Sequence, residues 1–264
     1  MIGGQRLQRR VWTAWVMLTF HLLFVASWWL PNSNVCESLL VWFVLQLGVH
    51  LGYHRYFAHA AFKTSAAFEL LIACIGCLAF QNGPLWWAST HRQHHRVSDT
   101  EADPHSPQRG FLHAHIGWLL HKEVDVIDWR LIPDLQRPIP LWVERHQRVL
   151  HLLYVSSVLL LGGWPALLTW WIVPIVLCWH TTFATNSLCH LFGSQPFAPR
   201  PHGLCAARNN AIVAILNLGE GWHNNHHAYP ARAHHGFYRW YQWDMVYIVL
   251  LLLAKVRVIW ELHE

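Results

Sequence analysis

Three short runs concentrate the histidines of this 264-residue chain, which has 22 in all. They are His54-Arg55-Tyr56-Phe57-Ala58-His59, His91-Arg92-Gln93-His94-His95 and Trp222-His223-Asn224-Asn225-His226-His227. On a helix, positions i, i+3 and i+4 share a face. His91, His94 and His95 can therefore point at one spot, and so can His223, His226 and His227. Neutral imidazole is the commonest protein metal ligand. Eight histidines at these spacings exceed the four ligands of one structural zinc, so the runs predict two metal ions.

Something must carry these runs to one place, and composition says what. With 54% hydrophobic and only 12% charged residues, the chain is too apolar for an ordinary soluble domain. Its 18 Trp suit a chain that meets a membrane interface. Apolar stretches at about 11–30, 38–53, 149–163 and 166–188 predict four transmembrane helices in an all-α fold, with Gly162-Gly163-Trp164-Pro165 as the turn between the last two. The first run is long for a signal peptide and no A-x-A site follows it. Ala66 to Phe80 is shorter and contains Glu69, which suits a re-entrant or interface-lying segment. Residues 54–148 and 189–264 then form a helical cap, and the chain reads as one domain. Every Lys and Arg lies in the tail, in 55–148 or from Arg200 onward, so the cap and its histidines face the cytoplasm. The net charge of +5 follows from that bias; no basic run with interleaved aromatics points to nucleic acid. Cys74 and Cys77, a CxxC inside an apolar run, read as small buried hydrophobes.

The boxes HRYFAH, HRQHH and HNNHH, with ADPHSPQRGFLHAHIGWLL after the second and GEGWHNNHHAYP around the third, resemble the membrane-bound acyl desaturases of the delta-9, stearoyl-CoA-desaturase-like type. The similarity spans roughly residues 35–240. It implies a membrane enzyme with two Fe ions that uses O2 and two electrons to place a cis double bond in a long-chain saturated acyl substrate. The family's metal ligands map onto His54, His59, His91, His94, His95, His190, His223, His226 and His227. His190 is carried by Asn186-Ser187-Leu188-Cys189-His190, which resembles NSxxH, and Asn186 matches the asparagine that holds a metal-bound water. The resemblance also selects iron over other redox metals. Independently, removing hydrogen from an unactivated methylene needs an oxidant stronger than any side chain, and zinc has no redox role.

Around the boxes, Asp99, Glu101, Asp103 and Glu220 are placed to accept the second ring N–H of ligand histidines. No bundle-type E-x-x-H pair occurs that would make acids ligands themselves. His50, one turn before His54, can stand behind the ligands; His21, His151 and His180 read as packing residues, and His234-His235 carries no assignment. Asn82, in an FQN element like the family's, and Trp87 are candidate substrate contacts. Where animal acyl-CoA desaturases carry an Arg two residues before the second box, this chain has Ser89, and the next basic contact region reads His121-Lys122-Glu123. The carrier is thus open between acyl-CoA, acyl-lipid and acyl-carrier protein. No haem, flavin or iron–sulfur pattern is visible, so electrons are expected from a separate donor such as ferredoxin or cytochrome b5, steered by Arg92, Arg96, Arg109 and Arg130. A lipid hydroxylase is the near alternative. A metal transporter is disfavoured because the spans hold few ionisable residues. The short N-terminus suggests a bacterial inner membrane, with the endoplasmic reticulum as the eukaryotic counterpart.

Overall fold

The computed structural model describes residues 2–29, 34–121, 126–198 and 205–264, with side chains from Val11 onward. It is mostly helical: α1 (Ile2–Ser27), α2 (Val35–Leu47), α3 (Ala66–Leu78), α4 (Pro84–Val97), α5 (Phe111–His115), α6 (Pro138–Leu167), α7 (Val173–Leu191), α8 (Ala211–Leu216), α9 (His223–Ala228) and α10 (Met245–Lys255). Helix starts follow local chemistry. The side chains of Asn34, Ser65, Asn210 and Asp244 accept amide hydrogens of the first turns of α2, α3, α8 and α10, and Pro84 opens α4 where its missing N–H is harmless. Two short strands, β1 (Lys63–Thr64) and β2 (Ile259–Trp260), pair antiparallel and tie the C-terminus to the segment after the first histidine box.

Two helical stretches are long and apolar enough to cross a membrane, Val35–Ala58 and Pro138–Leu191. The second is interrupted where Gly163 adopts φ 63° and ψ −157°, a conformation that favours glycine. The expected turn at 162–165 is therefore a sharp break in the backbone. Pro165 stands just after it, where it begins a helical segment rather than interrupting one. Val11–Ser27 and Ala66–Leu78 are shorter apolar helices. Boundaries differ from the sequence expectation in one instructive place. Residues 138–148, assigned to the polar cap, are already the first three turns of α6, because a helix leaving the apolar layer continues as an amphipathic one. Leu30, Pro31, Lys122, Glu123 and Arg200 lie outside the described residues.

Two buried clusters hold the helices together. One joins the first box to α3, α4, α6 and α10 through Tyr53, Phe57, Phe62, Leu85, Val143 and Leu250. The other joins α1, α2 and α7 through Phe20, Val49, Ile175, Trp179 and Phe183. Just past the end of α2, at Gly48, the backbone touches that of α3. A Cβ on Gly48 would meet the Gly76 amide nitrogen and lie 2.7 Å from the Ile75 carbonyl carbon, and one on Gly76 would lie 2.8 Å from the Gly48 carbonyl oxygen. Neither backbone can yield without moving the box that follows. Gly48→Ala is expected to destabilise the protein by about 1–3 kcal/mol. At about 2–4 °C per kcal/mol, thermal unfolding in detergent followed by tryptophan fluorescence would show it; an unchanged midpoint would contradict this account of the contact.

Candidate metal centre

The first box sits in an unusual helix. From Gly48 to Ala58 the chain winds as a π-helix, and the His59 amide donates to the His54 carbonyl at 3.1 Å. The wide i→i+5 turn brings His54 and His59 onto one side, with ring centroids 5.0 Å apart. On an α-helix residues five apart would diverge by about 140°. The H-x4-H spacing is thus a signature of the wide turn. Arg55 is fully buried beside it. It donates to the Ala233 carbonyl at 2.6 Å, to Glu220 at 2.9 Å and to Asp244 at 2.9 Å.

All nine histidines named above gather into two nests. His54, His59, His91, His95 and His226 form one, and His94, His190, His223 and His227 the other. The sequence expectation that each box points at one spot is corrected here. Along α4, His91 and His95 enter the first nest while His94 enters the second; along α9, His223 and His227 enter the second and His226 the first. The cause is helical pitch: residues i and i+4 lie about 40° apart and residue i+3 about 60° to the other side, so a helix wedged between two sites feeds both. Asn224 and Asn225 fix α9 in that wedge. Both backbone amides donate to Asn209 Oδ1, and their side chains donate to the Ala207 and His235 carbonyls.

The converging atoms are all Nε2. In the first nest His59 to His91, His91 to His95, His95 to His226 and His226 to His54 stand at 2.8, 3.0, 2.9 and 3.1 Å. In the second, His190 to His223, His223 to His227 and His227 to His94 stand at 3.0, 3.0 and 3.2 Å. Opposite nitrogens are anchored by acids. His54 Nδ1 donates to Glu220 at 2.6 Å, His94 Nδ1 to Asp103 at 2.9 Å and His190 Nδ1 to Asp99 at 3.1 Å. His227 Nδ1 instead faces the Cys205 sulfur at 3.2 Å. With the proton held on Nδ1, each of these Nε2 atoms carries a lone pair aimed at other nitrogens, which repel unless a cation stands among them. Imidazole ligands sit about 2.0–2.1 Å from a metal; at right angles this places neighbouring nitrogens about 3.0 Å apart. The donor set therefore fits one metal ion per nest.

Electrostatics favour the ligand state. Burial, reinforced by neighbouring imidazoles, pushes His59, His91, His95, His223, His226 and His227 well below the ordinary histidine range, so they stay neutral. Burial works against the ionised acids, but His94 and His105 hold Asp103 low, and His235, His54 and Arg55 hold Glu220 well below the carboxylate range. Burial also opposes a charge on His94, yet Asp103 raises its pKa, making it a more basic donor.

Other sequence candidates fall into place unequally. Asn186, half-buried on α7 one turn before His190, Asn82 and Trp87 all line a cavity of about 860 Å³ that reaches His91 and His105. Trp87 also stacks on His91 at 4.9 Å and donates to Gln81, whose amide donates to Thr182. His50 belongs to a buried network with Gln46 and Asn217. Glu101 touches no ligand histidine; its carbonyl receives Arg109. Among the expected steering cations, Arg92 is consumed internally by Asp134 and the carbonyls of Phe57, Ala58 and Leu131, and Arg130 pairs with Asp128. Sequence reasoning missed Arg55, Asp244, Cys205 and His235, whose Nδ1 lies 3.3 Å from Glu220. A charged Arg inside an apolar box was the one available signal.

A sequence profile of the fatty acid desaturase family matches residues 26–249. The chain is 37% identical over 245 residues to an sn-2 palmitoyl-lipid 9-desaturase of Nostoc sp. (strain 36), covering 90% of this chain and 84% of that one. It is 33% identical to a hex-5-enoyl-[acyl-carrier protein] acetylenase of Moorena producens (strain JHB), over 89% and 78% of the two chains. It is 32% identical to an acyl-CoA C20 Delta5-desaturase of Anemone leveillei, over 93% and 83%. Residues behind ligand histidines typically change metal retention about 10- to 100-fold, so Asp103→Asn and Glu220→Gln are each expected to lose metal to a chelator that much more readily, read by elemental analysis after dialysis. The match over most of the chain and the paired histidine nests lead to one conclusion: this protein is a member of the fatty acid desaturase family of oxidoreductases.

Proposed function

We propose that the chain is a membrane di-iron acyl desaturase that places a cis double bond, at the delta-9 position, in a long saturated acyl chain. The observation that carries this reading is the convergence of nine histidine Nε2 atoms, in nests of five and four, beside a cavity that His91 of the first nest lines. The position of the bond is supported by two relatives, the sn-2 palmitoyl-lipid 9-desaturase and an sn-1 stearoyl-lipid 9-desaturase of Anabaena variabilis, 36% identical to this chain. We assign His54, His59, His91, His95 and His226 to one iron, and His94, His190, His223 and His227 to the other, with Asn186 holding a water at the second. When bound, the iron pair with O2 supplies the oxidising power that neither side chains nor zinc possess.

The overall reaction joins CH2–CH2, O2, two electrons and two protons to give CH=CH and two waters. The chain's own residues position and protect. Trp87, Gln81 and Thr182 form a hydrogen-bonded polar ridge in a cavity lined by both apolar and polar side chains, over which an acyl chain would bend. Bending fixes both which methylenes reach the nests and the cis geometry. Phe183 and Trp179 exclude water beside them. Asp99, Asp103 and Glu220 keep protons on Nδ1, leaving Nε2 free to ligate. We place four spans in the bilayer with the nests on the cytoplasmic side. There a separate ferredoxin-like or cytochrome b5-like donor delivers electrons.

Membrane fatty acids of an aerobic host expressing the wild type, analysed by gas chromatography with mass spectrometry beside His94→Ala, test the proposal. A new cis-monounsaturated acid in the wild type alone is expected. Hydroxylated chains in its place would keep the metal reading and end the desaturase one.

A further inference from the structure

In the second nest the groups that stand behind the ligand rings are not all of one kind. His94 leans on Asp103 and His190 on Asp99, but His227 Nδ1 faces the sulfur of Cys205 at 3.2 Å. His223 Nδ1 finds no partner among the described residues. With its Nε2 in the nest, His227 carries its proton on Nδ1, so that the N–H donates and the sulfur accepts. Cys77, Cys178 and Cys189 turn their sulfurs to backbone carbonyls instead.

The backbone that delivers this sulfur is tied to the same nest at each following residue. The Ala206 amide donates to Asp99, the acid behind His190. The Ala207 carbonyl accepts from the side chain of Asn224, next to His223, at 3.0 Å. The Arg208 amide donates at 2.6 Å to the carbonyl of Cys189, one residue before His190. Residues 205–208 therefore form a strap on the nest, with Cys205 half-buried at its start. The strap leaves the sulfur little freedom to move away from His227.

Charge gives a reason for a thiol at this position. Asp99 and Asp103, 2% and 1% exposed, already put two buried acids behind the nest. A third carboxylate beside them would repel both where water screens poorly. Sulfur receives the N–H without adding a charge, but it is a weak acceptor. Acids behind a ligand imidazole orient the ring and strengthen it as a donor to the metal; His227 receives less of both than His94 or His190.

We propose that Cys205 is a positioning residue of the second nest, whose sulfur orients His227 and, standing where a carboxylate would hold harder, leaves His227 the most easily released of the three anchored ligands. This rests on the reading of the nests as iron sites given above.

The test uses the full chain in detergent, loaded with Fe2+ in the absence of air. Iron per chain is followed by elemental analysis during dialysis against EDTA, and unfolding of the metal-free protein by tryptophan fluorescence. The variants are Cys205→Ala, Cys205→Asp and, as a thiol control at an exposed position, Cys36→Ala. Cys205→Ala is expected to release one of its two ions about tenfold faster than the wild type, the low end of what residues behind ligands contribute. Cys205→Asp is expected to release it about tenfold more slowly, yet to unfold at a lower temperature when metal-free, because only a cation offsets the third acid. Cys36→Ala should match the wild type in both measurements. A sulfur that merely fills space predicts the reverse for aspartate, which would then shed metal as alanine does. Release from Cys205→Ala at the wild-type rate overturns the proposal, and so does release from Cys205→Asp no slower than the wild type. The aspartate comparison decides alone if Cys205→Ala does not fold. A wild type that takes up no iron ends the iron reading itself, whereas a wild type holding two ions with no response at Cys205 ends only the role of the thiol.

Discussion

Nine imidazole nitrogens, those of His54, His94 and His190 with lone pairs turned inward by acids behind them, are packed about 3 Å apart in a dry interior. Most of what surrounds them resists their protonation, Asp103 beside His94 being the exception. Helices converge from four parts of the sequence, acids fix the outward nitrogens, and burial keeps the rings neutral. Such an assembly is unfavourable as bare protein, since like dipoles face each other where water cannot screen them. A cation in each nest would relieve that repulsion, and metal binding would then contribute directly to folding.

The Arg55, Glu220 and Asp244 network extends that constraint outward. A buried guanidinium is tolerable only with its charge matched and its donors satisfied. Arg55 has its charge matched by Glu220, just before the third box, and by Asp244 at the cap of α10, and both terminal nitrogens donate, while its Nε finds no acceptor among the described residues. Glu220 in turn holds His54. The first and third histidine boxes are thereby locked together through charge as well as through the nests, and the C-terminal helix is recruited into the same lock.

Much of this was legible in the sequence, and the illegible part has physical reasons. Histidine spacing in HRQHH and HNNHH announced helical faces, and Asp99, Asp103 and Glu220 stood close enough to be named as partners. The break at Gly163 followed from two glycines and a proline. The distribution of each box over two nests did not follow, because periodicity gives angles around one helix and not the position of a second site beside it. The π-helical turn of the first box was also hidden: a single sequence carries no signal for i→i+5 bonding beyond a spacing that an α-helix cannot use. Arg55, Asp244 and His235 depend on contacts across 165 to 189 residues, which no local pattern encodes.

The wedging of α4 and α9 between the nests has a consequence for how the pair of sites behaves. Each of these helices contributes two histidines to one nest and one to the other, so neither nest can be reshaped alone. The spacing of the two nests is set by the width of a single helical turn. A rotation of either helix that opened one nest would close on the other, which ties both nests to one rigid frame.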